Sequence, residues 1–145
     1  RSTDVEYKHK DSFTFVEKGG GDMDKMKRLP DAELEVMQAV WSLEAPVTAA
    51  EVQRKVPSDW KSTSVLTFLS RLCDKGFLSC EKEGRQNLYT PCVTREDYLQ
   101  RESRSFVERM CGGSVKNLVA SLSDAGALTK SDIDELRAFL DAQGR

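Results

Sequence analysis

Residues 62–91, STSVLTFLSRLCDKGFLSCEKEGRQNLYTP, contain a predicted helix followed by a predicted hairpin. The helix is predicted because apolar side chains recur at the spacing of one buried face, at Val65, Phe68, Leu69 and Leu72. Gly76 favours the left-handed backbone that ends many helices, so we expect the helix to run from about residue 62 to residue 75. The remaining faces of this helix need a separate explanation.

Those faces carry short hydroxyl side chains and cations, at Lys61, Ser62, Thr63, Ser64, Thr67, Arg71 and Lys75. Serine and threonine donate or accept hydrogen bonds over a short reach, and arginine and lysine neutralise phosphates. Leu66 lies off the buried face, where an apolar side chain can contact a thymine methyl. The pattern is typical of a helix that enters a DNA groove, although exposed hydroxyls also occur on helices that are merely solvated.

Two short strands are predicted after the helix, at residues 77–83 and 86–91. They flank the dipeptide Gly84-Arg85, and Pro91 ends the second strand. We expect Arg85, at the tip of this hairpin, to contact the neighbouring DNA backbone or the minor groove.

Two further helices are predicted before residue 62. The first is predicted to begin with Asp31 as its cap and to end near Glu44, with a face formed by Leu34, Met37, Val40 and Trp41. The second follows the capping box Thr48-Ala49-Ala50-Glu51 and ends before Pro57. The predicted fold is mainly α with a small β-hairpin, because three helices and a hairpin are the element order of a winged helix-turn-helix DNA-binding domain. We assign this domain to residues 23–92.

Residues 93–145 are predicted to form three helices and to act as a dimerisation domain. Ser114 is predicted to cap the second of these helices, and Thr129-x-x-Asp132 is predicted to start the third. So few residues bury little apolar surface by themselves, and a second copy of the chain would cover the exposed stripes. A two-fold dimer would read a palindrome with half-sites spaced by whole helical turns. The alternative is a self-contained bundle packed on the hairpin. The residues predicted to pack between the copies are Leu118, Val119, Leu122, Ile133, Leu136 and Leu140.

Composition restricts the protein class. Charged residues make up 32% of the 145 residues, and no apolar run approaches the roughly 20 residues of a membrane helix. Because the first residues also lack a signal-peptide core, we expect a cytoplasmic protein. The formal net charge of −2 gives no global sign of an anionic partner. From Lys61 to Arg85, five cations exceed three acids, so the nucleic-acid hypothesis rests on this local excess.

The cysteines give little indication of a metal or redox site. Cys73, Cys80, Cys92 and Cys111 include no C-x-x-C pair, and the chain's one histidine, His9, is remote from them in sequence. We therefore expect no metal and no cofactor. A thiol- or metal-based enzyme would also need a phosphate loop, a base near a cysteine or a paired carboxylate, and none is evident. The prediction is that the protein is not an enzyme.

The first 22 residues are polar, lack a sustained period and end in three glycines before Asp22. They are compatible with added residues, a disordered arm or an extra hairpin. The tripeptide before Met23 can also be encoded by a purine-rich ribosome-binding sequence. We therefore expect residues 1–22 to be extraneous and translation to begin naturally at Met23.

Three stretches resemble the penicillinase repressor and methicillin-resistance repressor family over about residues 26–142. They are LPDAELEVMQAVWSLEAPVTAAEV (29–52), DWKSTSVLTFLSRLCDKGFLSCEKEGRQNLYTP (59–91) and EDYLQRESRSFVERMCGGSVKNLVASL (96–122). The resemblance implies a homodimeric transcriptional repressor that occupies a dyad operator before resistance genes. It also implies induction through a membrane-bound antibiotic sensor, which leads to proteolytic cleavage of the repressor at the bond matching Ser105-Phe106.

This sequence departs from the family pattern at two places. Serine stands at position 105 where familiar members have asparagine, and Lys61-Ser62-Thr63-Ser64 stands where many members have Ser-Pro-Lys-Thr. The protease and the operator bases are therefore not carried over unchanged. Copper-responsive relatives have a cysteine cluster near the C-terminus, whereas this chain has only Cys111 in its last 50 residues. The other hypotheses are a winged-helix adaptor that binds protein, and a repressor with a metal or redox inducer.

Overall fold

The computed structural model describes residues 28–144, and the expectations for residues 1–22 and Met23 lie outside them. The described chain forms two compact units, one ending at Glu102 and the other beginning at Ser103. Among the described residues, no helix has the length and apolar character needed to cross a membrane. The assignment of DNA binding to residues 23–92 and dimerisation to residues 93–145 stays a prediction.

The first unit has the predicted order of three helices followed by a hairpin. It also contains the start of a longer helix that runs past the boundary between the units. The elements are α1 (Asp31–Ser42), α2 (Ala49–Gln53), α3 (Ser62–Asp74), β1 (Leu78–Glu83), β2 (Gln86–Pro91) and α4 (Arg95–Cys111). This order confirms the mainly α, winged helix-turn-helix fold.

Helix α1 differs from its prediction at both ends. Asp31 is the first helical residue and Pro30 occupies the N-cap without a side-chain hydrogen bond, so the predicted Asp31 cap is wrong. Proline suits a helix start because its fixed φ is compatible with the helix and no amide donor is lost there. The helix ends at Ser42 rather than near Glu44. Its buried face is formed by Glu33, Val36, Met37, Ala39 and Val40, while Leu34 and Trp41 are half-buried.

The predicted capping box at the start of α2 is confirmed. The Glu51 amide donates to Thr48 Oγ1 at 3.2 Å, and the Thr48 amide donates to Glu51 Oε1 at 2.9 Å. This reciprocal pair satisfies two amides that the helix itself leaves without partners. It gives a helix of five residues a defined start.

Helix α3 packs on the core through Val65, Leu69 and Leu72, which are completely buried. The helix ends at Asp74, and Gly76 has a φ of 86°. This positive φ explains the glycine, because other residues adopt it at a steric cost. The Phe77 amide then donates to the Leu72 carbonyl at 2.9 Å, which fixes the direction in which the chain enters β1.

The hairpin pairs β1 and β2 in antiparallel register, from Leu78 opposite Pro91 to Glu83 opposite Gln86. A two-residue loop, Gly84-Arg85, joins the strands, and Gly84 has a φ of 65°. An isolated bridge joins Val47 to Tyr89 through two backbone hydrogen bonds of 2.9 and 2.8 Å. The hairpin is therefore attached to the segment that precedes α2.

The beginning of α4 belongs to the first unit's core through Tyr98. The Leu29 amide donates to the Tyr98 hydroxyl at 2.8 Å. The Tyr98 ring lies 5.9 Å from the Trp41 ring and 5.7 Å from the Phe77 ring. The Trp41 indole N–H donates to the Val93 carbonyl at 2.8 Å, so this aromatic cluster fixes the chain between the hairpin and α4.

The second unit contains the end of α4, α5 (Val115–Asp124) and α6 (Lys130–Ala142). Ser114 caps α5 by accepting from the Asn117 amide at 3.1 Å, as predicted. Thr129 and Asp132 form the predicted capping box of α6. In contrast to α1 and α3, neither α5 nor α6 has a buried residue within the described chain.

Candidate nucleic-acid interface

The predicted contact residues on α3 form an exposed surface. Lys61, at the N-cap, makes no side-chain cap, so the positive end of the helix has no side-chain acceptor of its own. Leu66 is 45% exposed, so its apolar side chain is accessible on this surface. Seven predicted contact residues lie together at the N-cap of this helix and along it, and all except the half-buried Ser64 are exposed. They are Lys61, Ser62, Thr63, Ser64, Leu66, Thr67 and Arg71.

A shallow depression of about 360 Å³ lies on this surface. Phe68, which the sequence assigned to the core face, is half-buried and contributes to the lining. Its ring lies 5.6 Å from the Trp60 ring, and the Arg71 guanidinium carbon lies 5.9 Å from its centroid. The aromatic ring of Phe68 therefore lies beneath the exposed guanidinium of Arg71, beside hydroxyl groups. The lining residues are Thr63, Ser64, Thr67, Phe68 and Arg71.

The Thr67 hydroxyl has a defined orientation. It donates to the Thr63 carbonyl at 2.9 Å, one helical turn earlier. Because the proton of this hydroxyl is already used, the oxygen is left to accept hydrogen bonds. An exposed acceptor on such a surface suits the amino group of cytosine or adenine in a major groove.

Arg71 and Lys75 share a partner that the sequence analysis missed. Glu33 on α1 is only 3% exposed, and its Oε1 accepts from Lys75 Nζ. Its Oε2 lies 3.9 Å from Arg71 Nη1. A signal for Glu33 was present in the sequence, since it precedes Val36, Met37 and Val40 by three, four and seven residues. The carboxylate therefore lies on the buried face of α1, where it meets the end of α3.

Arg85 lies apart from the α3 surface, in the loop between β1 and β2, and is exposed. The neighbouring Lys82, Glu83 and Gln86 are exposed as well. The hairpin loop therefore presents a cation to solvent, which is compatible with the predicted contact to a backbone or minor groove.

The four cysteines are free thiols. Burial, together with the nearby Cys80 and Asp74, raises the pKa of Cys73 to about 12. Burial and the nearby Cys73 raise the pKa of Cys92 to about 12, and burial also raises the pKa of Cys80. Cys73, Cys80 and Cys92 are therefore protonated near neutral pH, which makes them poor nucleophiles.

The remaining predicted residues lie in the second unit. Ser105 and Phe106 are within α4, where Ser105 Oγ accepts from Arg109 Nε at 3.1 Å and Phe106 is 37% exposed. Leu118 and Val119 are half-buried. Four of the predicted dimer residues have substantial exposure in the single chain, namely Leu122, Ile133, Leu136 and Leu140.

Comparisons with known proteins identify one family of similar proteins. A family model described as "Penicillinase repressor" matches residues 29–142. The penicillinase repressor of Bacillus licheniformis is 34% identical over 121 residues, covering 82% of this chain and 94% of that protein. The methicillin resistance regulatory protein MecI of Staphylococcus aureus strain N315 is 26% identical over 117 residues, covering 80% and 95%.

Two solved structures are similar to part of the chain, each at 37% identity and each covering 50% of this chain and 90% of the other. One is the solution structure of the DNA-binding domain of the repressor BlaI, with a TM-score of 0.45. The other is the Bacillus licheniformis BlaI monomeric form in complex with the blaP half-operator, with a TM-score of 0.41.

Proposed function

The chain belongs to the penicillinase repressor family of transcriptional repressors, and we propose that it represses as a dimer bound to a palindromic operator. The observation that carries this proposal is the exposed hydroxyl and cation surface of α3, on a helix whose opposite face is completely buried. We propose that the repressed genes serve resistance to β-lactams, as the names of the relatives suggest.

In the proposed complex, α3 enters the major groove. Its N-terminal end approaches the phosphates, because a helix N-terminus and Lys61 both attract anions. Thr67 accepts from a base amino group, Leu66 contacts a thymine methyl, and Arg71 binds a guanine edge or a phosphate. Arg85 at the hairpin loop contacts the neighbouring backbone or minor groove. The proposed contact set is Lys61, Ser62, Thr63, Ser64, Leu66, Thr67, Arg71 and Arg85. Lys75, which the sequence pattern predicts as a further contact, is paired with Glu33.

Dimerisation is proposed through α5 and α6. These helices have apolar stripes, but neither has a buried residue within residues 28–144, whereas a stable helix pair must remove its stripe from water. Phe139 and Leu140 are 58% and 49% exposed, and a second copy would supply the missing apolar neighbours. We propose that the copies pack through Leu118, Val119, Leu122, Ile133, Leu136 and Leu140.

Release from DNA is proposed to follow cleavage of the Ser105-Phe106 bond by a protease that depends on a membrane sensor. This bond lies in α4, three residues beyond the boundary between the compact units. Cleavage there would leave the core around Tyr98 intact and would separate each reading head from its dimerisation helices. Repression would fail without any change in the α3 surface.

The first experiment is a titration of the full chain against duplex DNA taken from upstream of its own gene, followed by fluorescence anisotropy. We expect saturable binding that weakens steeply with salt, and weaker binding to a scrambled duplex. Equal affinity for the two duplexes would remove the operator proposal. Absence of binding to either one in dilute buffer would remove DNA binding altogether and favour the protein-binding adaptor.

Dimerisation is tested separately by analytical ultracentrifugation at micromolar concentration. We expect the chain to sediment as a dimer and Ile133→Glu to sediment as a monomer, because a buried charge at the interface costs more than the contact contributes. Glu135→Gln is the matched control, since Glu135 is exposed on the same helix. A monomeric unsubstituted chain would contradict the proposal.

A further inference from the structure

The arrangement around Glu33 differs from a simple cationic surface for DNA. Glu33 is a carboxylate on the buried face of α1, and its two oxygens face two different cations, Arg71 within α3 and Lys75 at the C-cap of α3. A buried carboxylate is stable only when paired, because its removal from water costs several kcal/mol that a partner must offset. The pairing therefore constrains both cations, and the two constraints are unequal.

Lys75 is the closer partner. Its ammonium donates directly to Glu33 Oε1, and its side chain is 37% exposed. A lysine ammonium is a compact charge, so a carboxylate in direct contact with it offsets most of its attraction for other anions. The Glu33–Lys75 pair is close to neutral when seen from the DNA side.

Arg71 is held more loosely. Its Nη1 lies 3.9 Å from Glu33 Oε2, beyond ordinary hydrogen-bond distance, and its side chain is 57% exposed. The guanidinium has five N–H donors in a rigid plane, and its central carbon lies 5.9 Å from the centroid of the Phe68 ring. Arg71 is thus near Glu33 and Phe68, while more than half of its side chain remains exposed.

We propose that Glu33 is a positioning residue that gives two cations different roles. It pairs with Lys75 and so prevents Lys75 from contacting DNA, and it orients Arg71 toward the duplex. The proposal rests on the DNA-binding function above, but it changes the role expected of Lys75. The sequence pattern predicts Lys75 as a phosphate contact. Here Lys75 neutralises Glu33, and specificity improves because a freely mobile ammonium would strengthen binding to every sequence alike.

The test compares Glu33→Gln with Glu35→Gln in the full chain. Both substitutions remove one negative charge from α1, but Glu35 is exposed. For each variant, the affinity for a scrambled duplex is measured over a range of salt concentrations. We expect Glu33→Gln to steepen the slope of log affinity against log salt by about one relative to Glu35→Gln, because Lys75 is released to bind phosphate. We also expect a smaller ratio of operator to scrambled affinity.

The double variant Glu33→Gln/Lys75→Gln supplies the decisive comparison, because it removes the pair together and leaves no unpaired buried charge. We expect its salt slope to return to that of the unsubstituted chain. A slope lower by about one than that of the unsubstituted chain would show that Lys75 binds phosphate even when Glu33 is present, and would overturn the proposal. An equal slope for Glu33→Gln and Glu35→Gln would overturn it as well. A merely structural role of Glu33 would lower the melting temperature without steepening the slope.

A second measurement does not depend on DNA. Limited acetylation followed by mass spectrometry reports how readily each lysine amine reacts, with the exposed Lys61 as the internal reference. We expect Lys75 to react several-fold more slowly than Lys61 in the unsubstituted chain, and at a similar rate in Glu33→Gln. If the chain bound no duplex, this result would separate failure of the DNA-binding proposal from failure of the pairing. Equal Lys75 reactivity with and without Glu33 would overturn the pairing itself.

Discussion

Arg71 lies exposed on the α3 surface, and the sequence pattern predicts it as a DNA contact. Its guanidinium lies beside Phe68 and faces solvent next to the hydroxyls of Thr63 and Thr67. If it forms a bidentate pair with a base, Arg71→Ala should weaken operator binding by about 1–3 kcal/mol and relax discrimination at one position. If it contacts a phosphate, affinity should fall evenly across sequences and the salt slope should drop by about one. Anisotropy titrations against single-base operator variants distinguish the two outcomes.

Arg95→Ala is the control for Arg71→Ala, because Arg95 is an exposed arginine of the same unit at the start of α4. We expect it to retain both the operator affinity and the salt slope. An Arg71→Ala variant that behaves like Arg95→Ala would place Arg71 outside the interface.

The buried thiols give a second prediction at the scale of single residues. Cys73 and Cys92 have pKa values raised from 9.0 to about 12 in the folded chain, chiefly by burial. The folded chain therefore keeps these protons at a pH where the unfolded chain releases them. The stabilisation is complete below pH 9.0 and is lost as the pH rises toward 12, so the urea midpoint should fall across this interval. Cys73→Ala/Cys92→Ala should show a shallower fall, and an equally steep fall would assign the effect to other groups such as Tyr89 and Tyr98.

Some features of single residues could be predicted from the sequence and others could not. The spacing of Val65, Leu69 and Leu72 was enough to predict a buried face, because helical periodicity depends on neighbours in the chain. The partner of Lys75 could not be predicted this way, since Glu33 lies 42 positions earlier in the sequence. Only tertiary packing brings α1 against the end of α3. Long-range ion pairs and ring contacts are therefore the part of the site that pattern analysis missed.

At the scale of elements, α3 has two faces that should respond differently to the same substitution. Leu69 is completely buried, whereas Leu66 on the same helix is 45% exposed. Leu69→Ala should lower the free energy of unfolding by about 2–5 kcal/mol, because it removes buried methyl groups and leaves a cavity. Leu66→Ala should change it by less than about 0.5 kcal/mol but reduce the preference for an operator containing thymine at the contacted position.

Urea unfolding and operator titration of both leucine variants complete this comparison. A large stability loss in Leu66→Ala would mean that Leu66 belongs to the core and not to the reading surface. Unchanged discrimination together with unchanged stability would leave Leu66 without a role in binding.

Two helix starts were predicted correctly and one was wrong, for a physical reason. The boxes at Thr48 and Thr129 were predicted correctly because the two residues of a capping box are three positions apart and act locally. The Asp31 cap was wrong because Pro30 takes the N-cap and places Asp31 one position inside the helix. An acidic residue is favourable at either position, so composition alone does not distinguish a cap from a first turn.

At the scale of the whole molecule, the proposed function depends on coupling between the two compact units. Each proposed reading head contributes part of the affinity, and the proposed dimerisation would make the second contact effectively intramolecular, a gain of about 10² to 10⁴. The head has its own core, built around Val36, Met37, Val40 and Leu69, and does not need the second unit for that packing. Affinity for a full operator should therefore be much more sensitive to the chain connection than affinity for a half-site.

Cutting the chain near residue 105 should therefore separate the proposed reading heads. A specific protease site introduced between Ser105 and Phe106 allows the uncut and cut forms of one preparation to be compared. Cutting should lower affinity for the palindrome by about 10² to 10⁴, because the second head is no longer tethered, while affinity for a half-operator duplex should be unchanged. The same site inserted after Gly144, beyond α6, is the control and should leave both affinities intact. Equal losses on both duplexes would mean that cutting damages the head itself, and an unchanged palindrome affinity would show that the two heads bind independently.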